Sequence, residues 1–179
     1  MKKKPSELNK STENVHFSIG KFSLVYPGAE IGENVSIGNF CVIKDGVKIG
    51  NNTTIMDFVE LRKGTVIGND CYIDSRVSSS GNCIVGNNVT VRYDTILARG
   101  LKLGNNTYVS PRVMTNNLDS KKNPIGGAQV GENCFIGTNA VLQHGISIGD
   151  YVVIGAMSFV NKDCEANSTY LGIPAFKKK

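Results

Sequence analysis

Residues able to do chemistry are few in this 179-residue chain. There are two histidines, His16 and His144, and five cysteines, with no CxxC pairing to suggest a metal or redox centre. The densest polar stretch runs from 115 to 129, TNNLDSKKNPIGGAQ, and holds Asn116, Asn117, Asp119, Lys121 and Lys122 but no His, Cys or Glu. Asp119 can attract an ammonium or sugar hydroxyls, or can simply be solvated. Lys121 and Lys122 can meet phosphates, or can form a solvated charge pair. His144, in Leu142-Gln143-His144-Gly145, is the one imidazole in the body of the chain and thus the candidate general base. His16, beside Phe17, reads as a cap residue.

These residues must be positioned by a six-residue clock. Counting in sixes from Ile19 lands on aliphatic residues through Val109, with one miss at Ser79. The count restarts in a new phase at Val130 and continues through Ile136, Leu142, Ile148 and Ile154 to Val160. A period of six fits neither a helix at 3.6 nor one long strand at 2, but a short strand and a sharp turn, repeated. Branched residues at the beat suit a pleated interior, and Gly or Asn one and three places later suggests turns with positive φ. The expected fold is all-β, a single-stranded parallel β-helix whose coils of three hexads stack on one another. Residues 1–18 read as tail and cap, 19–165 as the solenoid, and 166–179 as a C-terminal cap with a basic tail. The stretch 115–129, not a multiple of six, reads as an excursion loop leaving one corner. Such a loop on a rigid scaffold is usually functional.

The same clock accounts for the cysteines. Cys41, Cys71, Cys83, Cys134 and Cys164 each fall four residues after a beat, in a small inward slot where Cys acts as a hydrophobe. No metal is expected. The net charge of +5 sits largely in Lys2–Lys4 and Lys177–Lys179, and no basic face with interleaved aromatics signals nucleic acid. No apolar run suffices for a membrane span, and the N-terminus lacks the apolar segment of a secretory signal, so a cytoplasmic protein is expected.

Units such as Ile31-Gly32-Glu33-Asn34-Val35-Ser36-Ile37-Gly38 resemble the hexapeptide-repeat acyltransferases. The resemblance is strongest at Val130-Gly131-Glu132-Asn133-Cys134-Phe135-Ile136-Gly137-Thr138, and continues through Ile154-Gly155-Ala156-Met157 to Gly172-Ile173-Pro174-Ala175. It implies a left-handed β-helix, a homotrimer with sites between subunits, and acetyl-CoA as co-substrate. Met114-Thr115-Asn116-Asn117 is similar to the sugar-nucleotide N-acetyltransferases, which acetylate an amino group on a nucleotide-linked deoxy-sugar. By that resemblance Asn116 orients the nucleophile or the tetrahedral intermediate, with Asn117, Asp119 and Lys121 on the substrate side. Gly137, Thr138, Gly155 and Ala156 occupy the positions against which the CoA arm would lie, and Lys162 could meet a CoA phosphate. The glycines have an equally good reading as corner residues.

Family members that acetylate hydroxyls generally carry a His in or near the excursion loop, and this loop has none. A sugar amine, with a pKa near 8 like an α-amino group, is roughly one-tenth neutral at pH 7 and needs placement more than a base. The expectation is therefore an acetyl-CoA-dependent N-acetyltransferase. The alternatives are an O-acetyltransferase using His144, in which loss of the imidazole abolishes activity, and a non-catalytic structural solenoid.

Overall fold

The computed structural model describes residues 17–178; of the tail and cap expected over 1–18, residues 1–16, including His16, lie outside the described residues. The strands are two or three residues long and build three sheets of ten, eight and seven strands, parallel except for the last strand of the ten-stranded sheet, the faces of a triangular solenoid. Up to Val153–Ile154, successive strands of one sheet are three elements apart in the chain, so each coil takes one strand from each sheet. The register is 18 residues, as in Ile31 against Ile49 and Ile49 against Ile67. The aliphatic beats face inward and form one continuous core from Val35 to Tyr170, nearly all of it sealed from solvent.

Both polar beats are inward too. Ser79 is fully buried, with its hydroxyl against Thr65 Oγ1 and accepting from Gly81 N–H at 3.0 Å. Thr115 is not the start of the excursion but a beat in the strand Met114–Thr115, and Gln129 already belongs to the strand Gln129–Val130. The excursion therefore runs from 116 to 128. Across it, coil neighbours such as Thr107 and Cys134 are 27 residues apart, where Thr53 and Cys71 are 18 apart, so it inserts nine residues into one corner.

Positive φ occurs three places after the beat and not one place after it. Asn34, Asn52, Asn88, Asn106 and Asn133 all lie between 53° and 58°. The glycines one place after the beat have a different reason. A Cβ on Gly137 would stand 2.5 Å from Ala156 N, so the next coil occupies that space. In the first three coils one corner places phenylalanine at the positive-φ position. Phe22, Phe40 and Phe58 form an exposed ladder with ring centroids 5.1 Å apart.

The ends of the solenoid differ from the expected boundaries. Phe17–Ile19 is already a strand, paired with Val35–Ile37. At the other end Thr169–Leu171 extends the ten-stranded sheet, and Phe176–Lys177 folds back on it antiparallel. This return closes the sheet edge, the exposed feature that a solenoid must cover.

Candidate active site

Thr115 fixes the root of the excursion. In regular coils the N–H one place after a beat donates to the beat carbonyl of the next coil, as Ser80 does to Leu97 at 2.9 Å. At the excursion Ala98 N–H donates instead to Thr115 Oγ1 at 2.7 Å, and that hydroxyl donates to the Ile96 carbonyl at 2.9 Å. At the exit, the Gln129 side-chain amide donates to the carbonyls of Gly100 and Gly127, at 3.0 and 3.1 Å. Neither residue stood out in the sequence as functional. Both act through bonds to residues up to 29 positions away, which become neighbours only once the coils stack.

Between these anchors the loop folds on itself. Leu118 and Pro124 form an antiparallel bridge, and Gly126 N–H donates to the Asn117 carbonyl at 3.1 Å. Asp119 organises the tip. Its Oδ1 accepts from the N–H groups of Lys121 and Asn123, and its Oδ2 from the Asn123 amide, all at 2.8 Å. The Asn123 side chain and backbone, with the Lys121 N–H and the nearby charge of His144, hold the carboxyl below its ordinary range. Asp119 is thus a structural carboxylate of the loop, and Lys121 enters through its backbone while its side chain is exposed.

Asn116 and His144 meet this loop from two coils. Asn116 N–H donates to the Leu142 carbonyl at 3.1 Å, and its exposed side chain has no hydrogen-bond partner among the described residues. His144 lies in the corner of the following coil, half-buried, with Nε2 at 3.4 Å from the Gln143 amide. The loop lies against that corner. Gly145 N–H donates to Gly126, and a Cβ on Gly145 would meet Ile125 at 2.8 Å. His144 and Asp119 make no ion pair, so no carboxylate–imidazole dyad is assembled among the described residues.

The residues expected to meet CoA divide between two edges of the prism. Gly137 and Thr138, with Gly155 and Ala156 one coil on, form the corner that precedes the eight-stranded sheet. Their space is partly used: Thr138 accepts from Met157 N–H at 2.8 Å, and a Cβ on Gly155 would meet Leu171 at 2.9 Å. Ala156 is exposed and presents a low ledge. Lys162 is exposed on the other edge, one coil beyond His144. Six residues of extended chain, at most about 20 Å, separate Thr138 from His144 along one face. Within one chain the loop side and the glycine side occupy different corners of the prism.

All five cysteines are buried and unpaired. Burial raises every one of these thiols above its ordinary range, and Cys164 to about 11. They take no part in the surface just described.

Comparison with known proteins agrees with this geometry. A family model described as the GMPPB C-terminal domain matches residues 14–119, and one described as bacterial transferase hexapeptide (six repeats) matches residues 127–162. The two matches end and begin on either side of the loop tip. Galactoside O-acetyltransferase of Escherichia coli (strain K12) is 44% identical over 45 residues, 25% of this chain and 22% of that protein. The chain thus aligns with about a fifth of that relative's length. Among solved structures, the UDP-N-acetylglucosamine acyltransferase of Bacteroides fragilis superposes with a TM-score of 0.73 at 22% identity, over 88% of this chain and 72% of that one. The Campylobacter jejuni enzyme of the same description gives 0.72 at 18%, over 87% and 72%. At these identities the structures share the fold.

Proposed function

This chain belongs to the hexapeptide-repeat acyltransferases of left-handed β-helix fold, with residues 14–119 in the GMPPB C-terminal domain family, and from that premise we propose that it transfers an acetyl group from acetyl-CoA to the amine of a nucleotide-linked amino-deoxy-sugar. The observation that carries this reading is the polar economy of the excursion corner. Its one carboxylate is spent on three bonds inside the loop, while the Asn116 amide is exposed and free. Such a corner can place and stabilise without removing a strongly held proton. An amine asks no more than that, since its neutral fraction near pH 7 is already about one-tenth.

The thioester supplies an activated acyl carbon and a thiolate leaving group. Asn116 orients the incoming amine or donates its amide N–H to the oxygen that gains charge during attack. Asn117, Asp119 and Lys121 keep the loop folded around that position. The active unit is a homotrimer in this reading. The loop edge of one copy would meet the Gly137–Thr138 and Gly155–Ala156 edge of its neighbour, because the two edges lie apart in one chain. A cytoplasmic location accompanies it, the five unpaired thiols suiting a reducing compartment.

The deciding experiment is a panel of nucleotide-linked amino-sugars with acetyl-CoA, read by release of free thiol. Acceleration by at least one amine is expected; the absence of any acceleration overturns the reading. A second reading, transfer to a hydroxyl with His144 as base, draws support from the half-buried imidazole lying under the loop. His144→Asn separates the two: amine transfer should survive it, whereas hydroxyl transfer should be abolished.

A further inference from the structure

Below the excursion the same corner carries a trough of about 670 Å³, lined among others by Lys44, Asp45, Glu60, Arg62, Lys63 and Arg99. In sequence these cations look scattered. Lys63 and Arg99 are 36 residues apart, which is two coils at 18 residues each, so stacking brings them onto one edge. The cations are unequally engaged. Arg62 is held by Glu60, with Nε at 3.0 Å and Nη2 at 3.4 Å from its oxygens. Lys44 bonds the Tyr26 hydroxyl at 3.0 Å and lies over that ring. Arg99 donates one N–H to the Ser80 carbonyl at 3.0 Å and has no ion-pair partner among the described residues, nor has Lys63. Two cations without an ion-pair partner among the described residues therefore line a concave, open edge, each keeping N–H donors for an anion.

The trough floor leads to the loop. Gly46 and Gly64 leave it low, and Gly100 continues the line, where a Cβ would stand 3.2 Å from Gly127 N at the loop's exit. With coils stacked about 4.8 Å apart, Arg99 lies one coil and Lys63 three coils below the excursion. An anion held between them sits within the reach of one elongated ligand from Asn116.

We propose that this trough is a binding site for the diphosphate of a nucleotide-containing substrate, with Lys63 and Arg99 as its principal contacts. The proposal rests on the reading above, in which both substrates carry such a group: the nucleotide-linked acceptor and CoA. Either source presents two adjacent anionic phosphates to cations two coils apart, and Arg99 can engage an oxygen pair with its fork. The trough lies on the loop edge and apart from the glycine ledge, which favours the acceptor.

Calorimetric titration of the full chain with UDP, dTDP, GDP, CoA and inorganic pyrophosphate tests this directly, without turnover. At least one nucleotide should bind, compete with pyrophosphate, and lose affinity tenfold or more in the double variant Lys63→Ala/Arg99→Ala. Its affinity should also fall as salt is raised, more steeply in the wild type than in the variant. Melting temperature and circular dichroism of the variant establish that it folds, and Lys102→Ala, a charge removal on the seven-stranded sheet, serves as control. Loss confined to UDP, dTDP or GDP assigns the trough to the acceptor; loss confined to CoA assigns it to the donor. Unchanged affinities in a folded double variant, or no binding of any probe by the wild type, overturn the proposal. Amine acetylation with an unchanged acceptor KM in the variant sinks the trough and leaves the activity standing. Trough-dependent nucleotide binding without acetylation of any amine does the reverse.

Discussion

Thr115→Val tests whether a side chain has replaced the backbone ladder at the root of the loop. Valine keeps the branched shape and buried volume but can neither accept from Ala98 N–H nor donate to the Ile96 carbonyl. Ala98 is 2% exposed and Thr115 5%, so water cannot take over either bond. An orphaned buried N–H costs about 1–3 kcal/mol, the hydrogen bond lost at the Ile96 carbonyl costs about 1 kcal/mol more, and burying a methyl in place of a hydroxyl returns about 0.8 kcal/mol. The net expectation is a loss of about 2 kcal/mol. For a chain of this length that lowers the melting temperature by roughly 4–8 °C at fixed protein concentration. Thr115→Ser is the control: it keeps both bonds and gives up one methyl, about 0.8 kcal/mol or roughly 2–3 °C. Amide exchange adds a local readout, with the Ala98 N–H protected in the wild type and in the Ser variant but fast in the Val variant. A Val variant melting at or above the Ser variant, with Ala98 still protected, would show that the hydroxyl does not bridge the coils.

Four further outcomes follow from the same geometry. Asn116→Ala should lower kcat for the amine acceptor about 10²-fold, the loss typical of one oxyanion donor, with an unchanged melt; an unaltered kcat removes Asn116 from catalysis. Asp119 is held below its ordinary range, so its contribution to loop order is complete above the unfolded value of about 3.9 and disappears as pH falls through the lower folded value. A carboxyl NMR titration should therefore place Asp119 below a solvated Asp, and Asp119→Ala should erase the protection of the Asn123 amide; a normal titration midpoint contradicts the loop geometry. The five cysteines should resist a thiol dye in the native protein at pH 8 and all react after denaturation, since burial raises each of them; rapid native labelling would contradict their burial. Gly137→Ala should destabilise by about 1–3 kcal/mol because its Cβ meets the next coil's backbone, whereas a Cβ on Gly126 meets nothing within 4 Å and that substitution should cost about 1 kcal/mol through φ alone; equal denaturant midpoints would refute the distinction.

The fold was legible because its information is local and repeated. A branched residue every sixth position states the coil, and Asn three places later states the corner, where the structure has φ near +55° at Asn34, Asn52 and Asn88. What was not legible depends on partners one coil away. Ser79 and Thr115 looked like failures of the repeat because a hydroxyl at a core position makes sense only once its acceptors, 14 to 19 residues distant, are known. Propensity alone gives the glycines after the beat positive φ, whereas the next coil's approach is what requires them. For the site, sequence marked the corner where the period breaks but not the state of its groups. Asp119, open to a solvated or a ligand-attracting reading in the sequence, is a loop staple, and Lys63 and Arg99, 36 residues apart in the chain, share one edge. In a solenoid, residues 18 or 36 apart are closer neighbours than residues six apart. A functional reading of such a chain is therefore made along the stacked corners, and along this one the uncommitted groups run from Lys63 through Arg99 to Asn116.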